Sequence, residues 1–318
     1  MSRILLQTTI AADPDDWDVS HFALLADTLR DAGHEVIARN REGQGRDDPV
    51  LSRLDELGYD QLWLMAVDVG DGLTDSEAKA ITSFRENGGG VLTARDHEHL
   101  GRCLLRLGSV GLVNQFHDAD VDPSTLCDDQ DTATISWPNY HSGANGDYQP
   151  VLTQEPVHEL LRTTRTASGR IEWFPAHPHE GGVSAAVPNS TVLAQGRSTA
   201  TGRRFNLAVA VDGELGPDGH PMGRAVAEST FHHFADYNWD LDRGAPPFVS
   251  EPPGTQIKAD PARLTTFKDY VRNLATWLQP ATSQFATTGV RVGIRSLPAA
   301  CSSRRARPSC TPPRTSDS

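Results

Sequence analysis

Three short stretches of this chain concentrate imidazoles, and two of them add a carboxylate: Arg95-Asp96-His97, His177-Pro178-His179-Glu180 and Phe231-His232-His233. Imidazole and carboxylate together support two chemistries. They can hold a divalent metal ion that activates water, or they can act as general acid and base with no metal. The second stretch packs two imidazoles and a carboxylate into four residues, framed by Pro175, Pro178, Gly181 and Gly182. Its H-x-H spacing is compatible with ligation without being diagnostic, and no H-E-x-x-H occurs. We therefore take Asp96, His97, His179, Glu180 and His232 as candidate catalytic residues. His97, His179 and His232 are the candidate ligands should a divalent metal ion be the cofactor. His177 is a candidate substrate contact. So is the turn-rich loop Trp137 to Gln149, where Tyr140, His141, Asn145 and Asp147 stand ready to close over a ligand.

Each cluster has a plainer reading. Asp96 has the residue type of a helix N-cap. Asp13 to Asp18 and Asp71-Gly72 have the composition of ordinary turns. Asp128, Asp129 and Asp131 read as solvated surface. Of His232 and His233, one ring should face the site and the other should pack, because neighbours on a strand point oppositely.

The clusters follow apolar runs. Arg3 to Ile10, His34 to Asn40, Gln61 to Val67 and Val91 to Ala94 read as strands. Ser20 to Ala32, Pro49 to Leu57 and Thr74 to Asn87 read as the helices between them. Thr74 and Glu77 form a capping-box pattern. Helical character resumes near Glu98 and continues through Gly101 to Val113. Gln154 to Leu161 is a short helix. Arg170 to Phe174, Thr191 to Gln195, Phe205 to Val211 and Arg224 to Thr230 are further strands, and Pro261 to Leu278 is a helix. Strand and helix in alternation predict a mostly parallel central sheet covered on both faces. The polar clusters would then meet at the carboxyl ends of the strands. Neither a G-x-G-x-x-G fingerprint nor a P-loop is present.

Composition bounds the partners. The 318 residues carry a net charge of −13. This excess of acid disfavours nucleic acid and anionic membranes and leaves a small molecule as the expected ligand. With no signal-like start and no spanning apolar run, the expected compartment is the cytoplasm. Cys103, Cys127, Cys301 and Cys310 lack C-x-x-C spacing. From Val290 onward there are six arginines and one aspartate, so the remainder carries −18. Residues 1–285 are expected to form one domain and residues 286–318 a disordered basic tail.

The segments G-G-G-V-L-T-A-R-D-H-E-H-L-G (88–101), F-P-A-H-P-H-E-G-G (174–182) and G-R-A-V-A-E-S-T-F-H-H-F (223–234) resemble the class I glutamine amidotransferase-like fold. Within it they are most similar to the ThuA-like, trehalose-utilisation proteins. The resemblance spans roughly residues 1 to 240. It implies a flavodoxin-like α/β three-layer sandwich and a small, sugar-like ligand. Amidotransferases of this fold place a cysteine nucleophile on a strand-to-helix turn and pair it with a histidine of a His-Pro-Glu element. Here the turn carries Arg95-Asp96-His97. His232 takes the place of the late histidine, and Phe234 stands where the glutamate would be. The expected enzyme is one without a thiol nucleophile. It would act on a small polar substrate through a His/Asp/Glu site, by metal-assisted hydrolysis if a metal is held. The alternative is a non-catalytic binding or scaffold domain.

Overall fold

The computed structural model describes residues 1–115, 127–129, 132, 135 and 138–280. The expected tail, Asp131 and Trp137 lie outside the described residues. Ten strands are described: β1 (Arg3–Thr8), β2 (Glu35–Arg39), β3 (Gln61–Met65), β4 (Gly90–Ala94), β5 (Tyr148–Pro150), β6 (Leu152–Thr153), β7 (Trp173–Pro175), β8 (Ser190–Arg197), β9 (Arg204–Val211) and β10 (Ala225–Glu228). The α-helices are α1 (Ala23–Asp31), α2 (Asp75–Glu86), α3 (Gly108–Val113), α4 (Asp236–Trp239), α5 (Gln256–Ala259) and α6 (Pro261–Trp277).

The central sheet runs β2-β1-β3-β4-β10-β9-β8-β6. Its first five strands are mutually parallel. Their order is that of a flavodoxin-like sheet. β9, β8 and β6 extend it antiparallel. On β1, Ile4 and Leu6 face one way and Leu5 the other, and all three are buried, as expected where both sides of a sheet are covered. Ile4 and Leu6 join Leu25, Leu29, Phe267, Tyr270 and Leu274 of α1 and α6. Leu5 joins Ile81, Phe84 and Val110 of α2 and α3. The result is a three-layer α/β sandwich.

Several expectations are refined. The Thr74 capping box forms with both of its hydrogen bonds. Arg170 to Phe174 does not join the central sheet. Only Trp173–Pro175 is extended there, and it pairs antiparallel with β5 in a separate ribbon. No helix begins near Glu98, whose φ of +55° is incompatible with one. The next turn of helix is a 3₁₀ segment, Arg102–Arg106. Asp96 therefore caps nothing, and its carboxylate is available for other work.

Candidate active site

β4 is buried along its whole length and delivers Asp96 to the carboxyl edge of the sheet. The turn after it is clamped by Arg95. That buried guanidinium donates to the carbonyls of Glu98, Leu100 and Asn114 at 3.0, 3.1 and 2.6 Å. Beside it, β10 ends and a 3₁₀ turn, Phe231–His233, carries His232. The β5–β7 ribbon brings His177 and His179 over the same edge from the other side.

These elements converge on Asp96. Its Oδ2 lies 3.0 Å from His97 Nδ1, 3.3 Å from His177 Nε2 and 3.6 Å from His232 Nε2. His177 stacks on His232 with ring centroids 3.6 Å apart. His179 meets His97 and His177 edge-on at 4.6 and 4.2 Å. The close approach depends on Gly181. Its N–H reaches Asp96 Oδ1 at 3.3 Å, and a Cβ there would lie 2.6 Å from the Ser229 carbonyl oxygen.

One ligand atom from each of Asp96, His97, His177 and His179 can be chosen so that all four lie within 4.8 Å of one another. Tetrahedral sites with bonds near 2.0–2.2 Å need ligand atoms roughly 3.3 Å apart, a spacing that small side-chain adjustments would reach. The outer contacts also fit. His177 Nδ1 is 2.8 Å from Asn145 Oδ1, and His179 Nδ1 is 3.4 Å from Asp129 Oδ2. For His177 the oxygen partner on Nδ1 leaves Nε2 as the donor atom, the usual outer support of a metal-bound histidine, while His179 Nδ1 lies at ion-pair distance from Asp129 without a hydrogen bond. Buried Nε2 of His177 makes no hydrogen bond.

The electrostatics point the same way. Burial alone would raise the Asp96 carboxyl, yet His177 and His97 hold it well below the usual carboxylate range. Burial, helped by His177, pulls His179 down to about 4 against the pull of Asp129. Burial and His177 also hold His232 well below its ordinary value. An ionised Asp96 carboxylate beside a His179 whose imidazole resists protonation is compatible with metal ligation.

The cluster forms the floor of a cavity of about 380 Å³. Trp17, Val67, Leu100, Phe231, Phe248 and Val249 supply apolar walls, and Asn145 and Glu251 also reach it.

Of the candidate residues, Asp96, His97, His177, His179, His232 and Asn145 come together here. The others lie elsewhere. Glu180 turns behind the floor, where its carboxylate accepts from Gln149 and Ser229 at 2.7 Å each and pairs with His233 at 2.9 Å. Tyr140 stacks on Phe205 in the core. His141 Nδ1 meets the Pro178 carbonyl at 2.9 Å. Asp147 accepts from the backbone N–H of Thr255 and Gln256. The Tyr140 segment is thus knitted into the body, since Tyr140 also exchanges backbone bonds with Glu180. Asp129, read from sequence as solvated, is buried beside His179, and Asp128 is buried and paired with Arg203. Glu251, 3.9 Å from His179, and Trp17 carried no sequence signal beyond their residue types.

No family model matches the chain, and no curated protein matches it. Solved structures with a similar fold include a ThuA-like protein from Parabacteroides merdae, at 16% identity, covering 87% of this chain and 89% of that one with a TM-score of 0.48. The glutaminase domain of a Trypanosoma brucei CTPS, with bound acivicin, is 14% identical over 88% of this chain and 97% of that one, TM-score 0.43. A GMP synthase subunit from Thermoplasma acidophilum is 10% identical over 90% and 98%, TM-score 0.39.

Among the described residues no cysteine lines the cavity. Cys103 is buried with its Sγ donating to Asp68 Oδ1 at 3.0 Å. Burial and Asp68 push its thiol well above the ordinary range. No described helix is long and apolar enough to cross a membrane.

Proposed function

We propose that Asp96, His97, His177 and His179 hold a divalent transition-metal ion and that the protein is a metal-dependent hydrolase. The observation that carries this reading is the shared arrangement of His177 and His179. Nδ1 of His177 is at hydrogen-bond distance from Asn145 Oδ1, Nδ1 of His179 lies 3.4 Å from the Asp129 carboxylate, and both rings stand beside the buried Asp96. Three imidazoles and one carboxylate form a donor set suited to zinc and its neighbours. Held by three of these four, a bound ion of this kind would keep one position open for a water whose pKa is lowered to about 7.

His232 stays outside that donor set. Its Nε2 faces Asp96, and its buried Nδ1 has no hydrogen-bond partner. Being neutral, it is placed to accept the proton of the attacking water and return it to the leaving group. Trp17, which meets His232 edge-on at 4.7 Å, holds that ring in place.

Metal analysis of the purified protein, before and after chelation and reloading, tests the proposal. About one equivalent of metal is expected, falling to background in His177→Ala and His179→Ala. His232→Ala should keep the metal and lose roughly 10²–10⁴-fold in turnover. Full metal content in His179→Ala would overturn the ligand assignment. Metal retention without turnover on any acyl substrate would leave a binding domain rather than an enzyme.

A further inference from the structure

We infer that the substrate is an uncharged carboxylic amide or ester with an apolar body, rather than a sugar or an anion. This deepens the proposed hydrolase and rests on that reading for the chemical step alone. The chemical class follows from the cavity.

The lining contains no lysine or arginine among the described residues, and its charged groups besides the imidazoles are Asp16, Asp96 and Glu251. An anionic ligand would be desolvated there without a fixed cation to pair with. A divalent ion at the floor does not change this balance. Asp96 sits within the ion's donor set, and Asp129 and Glu251 lie 3.4 and 3.9 Å from His179. Carboxylates already offset the ion's charge, so the substrate need bring none.

The walls disfavour a sugar by the same logic. Each buried hydroxyl needs a hydrogen-bond partner, and Trp17, Val67, Leu100, Phe231, Phe248 and Val249 offer apolar surface. The mouth continues this surface. Val69 and Phe248 both line the cavity and are 76% and 59% exposed, two of five large apolar side chains so exposed among the described residues. Asp16, Thr132, Asn145 and Glu251 also line the cavity, yet most of its surface is apolar, which suits a ligand whose chief polar function is the reacting carbonyl. A volume of about 380 Å³ lies at the small end of ligand pockets, roughly 300–1,000 Å³.

In the step, water gives one proton to His232 as its oxygen bonds to the acyl carbon. The bond from that carbon to the amide nitrogen or ester oxygen breaks, and the leaving atom takes a proton from His232. The water's second proton stays on the acyl product, so a carboxylic acid and a neutral amine or alcohol result, and the acid then gives its proton to solvent.

Phenylacetamide, phenylacetate and glucose, titrated into metal-free and zinc-loaded full-length protein, test the class through tryptophan fluorescence and thermal shift. In the metal-free protein phenylacetamide should bind at least about tenfold more tightly than phenylacetate, and glucose should not bind. Phe248→Ala, at an exposed site, should weaken phenylacetamide roughly threefold to tenfold with an unchanged Tm. Equal or tighter phenylacetate binding to metal-free protein, saturable glucose binding, or no phenylacetamide binding up to its solubility limit would overturn the inference. Because the deciding arm contains no metal, a protein that takes up no zinc still tests the substrate class. A protein that loads zinc but shows no amide preference overturns the class alone.

Discussion

Nδ1 of His177 lies 2.8 Å from Oδ1 of Asn145, and this contact selects which nitrogen of His177 faces Asp96. An amide oxygen can only accept, so Nδ1 carries a proton and Nε2 is the atom left to give its lone pair to a metal ion. Asn238 Nδ2 donates to the same oxygen at 3.2 Å, which holds the amide in that orientation.

Asn145→Ala should therefore weaken zinc binding by roughly 10–100-fold, the usual effect of losing an outer partner. Asn145→Asp, which still accepts from Nδ1, should recover most of it. Competition against a chromophoric chelator measures both. Equal affinity in the alanine variant and the wild type would remove Asn145 from the site's support.

Asp96→Asn tests the floor itself. The amide can keep the acceptor for the Gly181 N–H but loses the charge that balances a divalent ion. Zinc affinity should fall by more than the roughly 10–100-fold of an outer partner, and activity should vanish. The metal-free protein should lose stability, since the neighbours that hold the buried carboxyl well below its usual range stabilise its charged form and the amide forgoes that attraction. Calorimetry of both proteins in chelator reads that difference.

Much of this arrangement was legible in the sequence, for physical reasons. Strands buried on both faces appear as unbroken apolar runs, so β1, β3 and β4 stand out, and polar residues mark where each run stops. Strand direction is not written in composition, which is why β8 and β9 could be found without being known as antiparallel. The divergence of His232 and His233 was expected from strand alternation. It holds, but on a 3₁₀ turn after β10 has ended. Asp129 reads as surface because its neighbours are acidic, and only its contact with His179, across the fold, shows otherwise. Trp17 and Glu251 reach the cavity from opposite ends of the chain, where no local pattern reports a meeting.

Gly181 is the tightest point of the assembly. A Cβ there would also approach the backbone carbonyl carbon and oxygen of Asp96, at 2.9 Å. Neither neighbour can yield without moving the end of β4 or the segment after β10. Gly181→Ala should destabilise by about 1–3 kcal/mol, the usual cost of overpacking, and loosen zinc binding in parallel. Urea unfolding with an unchanged stability would show that the strand ends have slack.

The network behind the floor governs stability at alkaline pH. His233 is fully buried, with Glu180 Oε1 2.9 Å from its Nε2 and Glu228 Oε2 3.1 Å from its Nδ1. Tyr270 Oη donates to Glu228. Burial would lower the imidazole, but Glu180 and then Glu228 outweigh it and raise its pKa to about 9. The unfolded value is near 6.5, so the folded protein binds the proton more tightly. The stabilisation is fully present below about pH 6.5 and is lost as pH rises through about 9. Urea unfolding in chelator at intervals across that window should show stability falling with pH. Glu228→Gln removes one of the two carboxylates. It should cost about 3–5 kcal/mol at the acid end, as breaking a buried ion pair does, and flatten the alkaline slope. A wild type whose stability is level across the window would mean that His233 is neutral, leaving Glu180 and Glu228 as two buried acids with no cation between them.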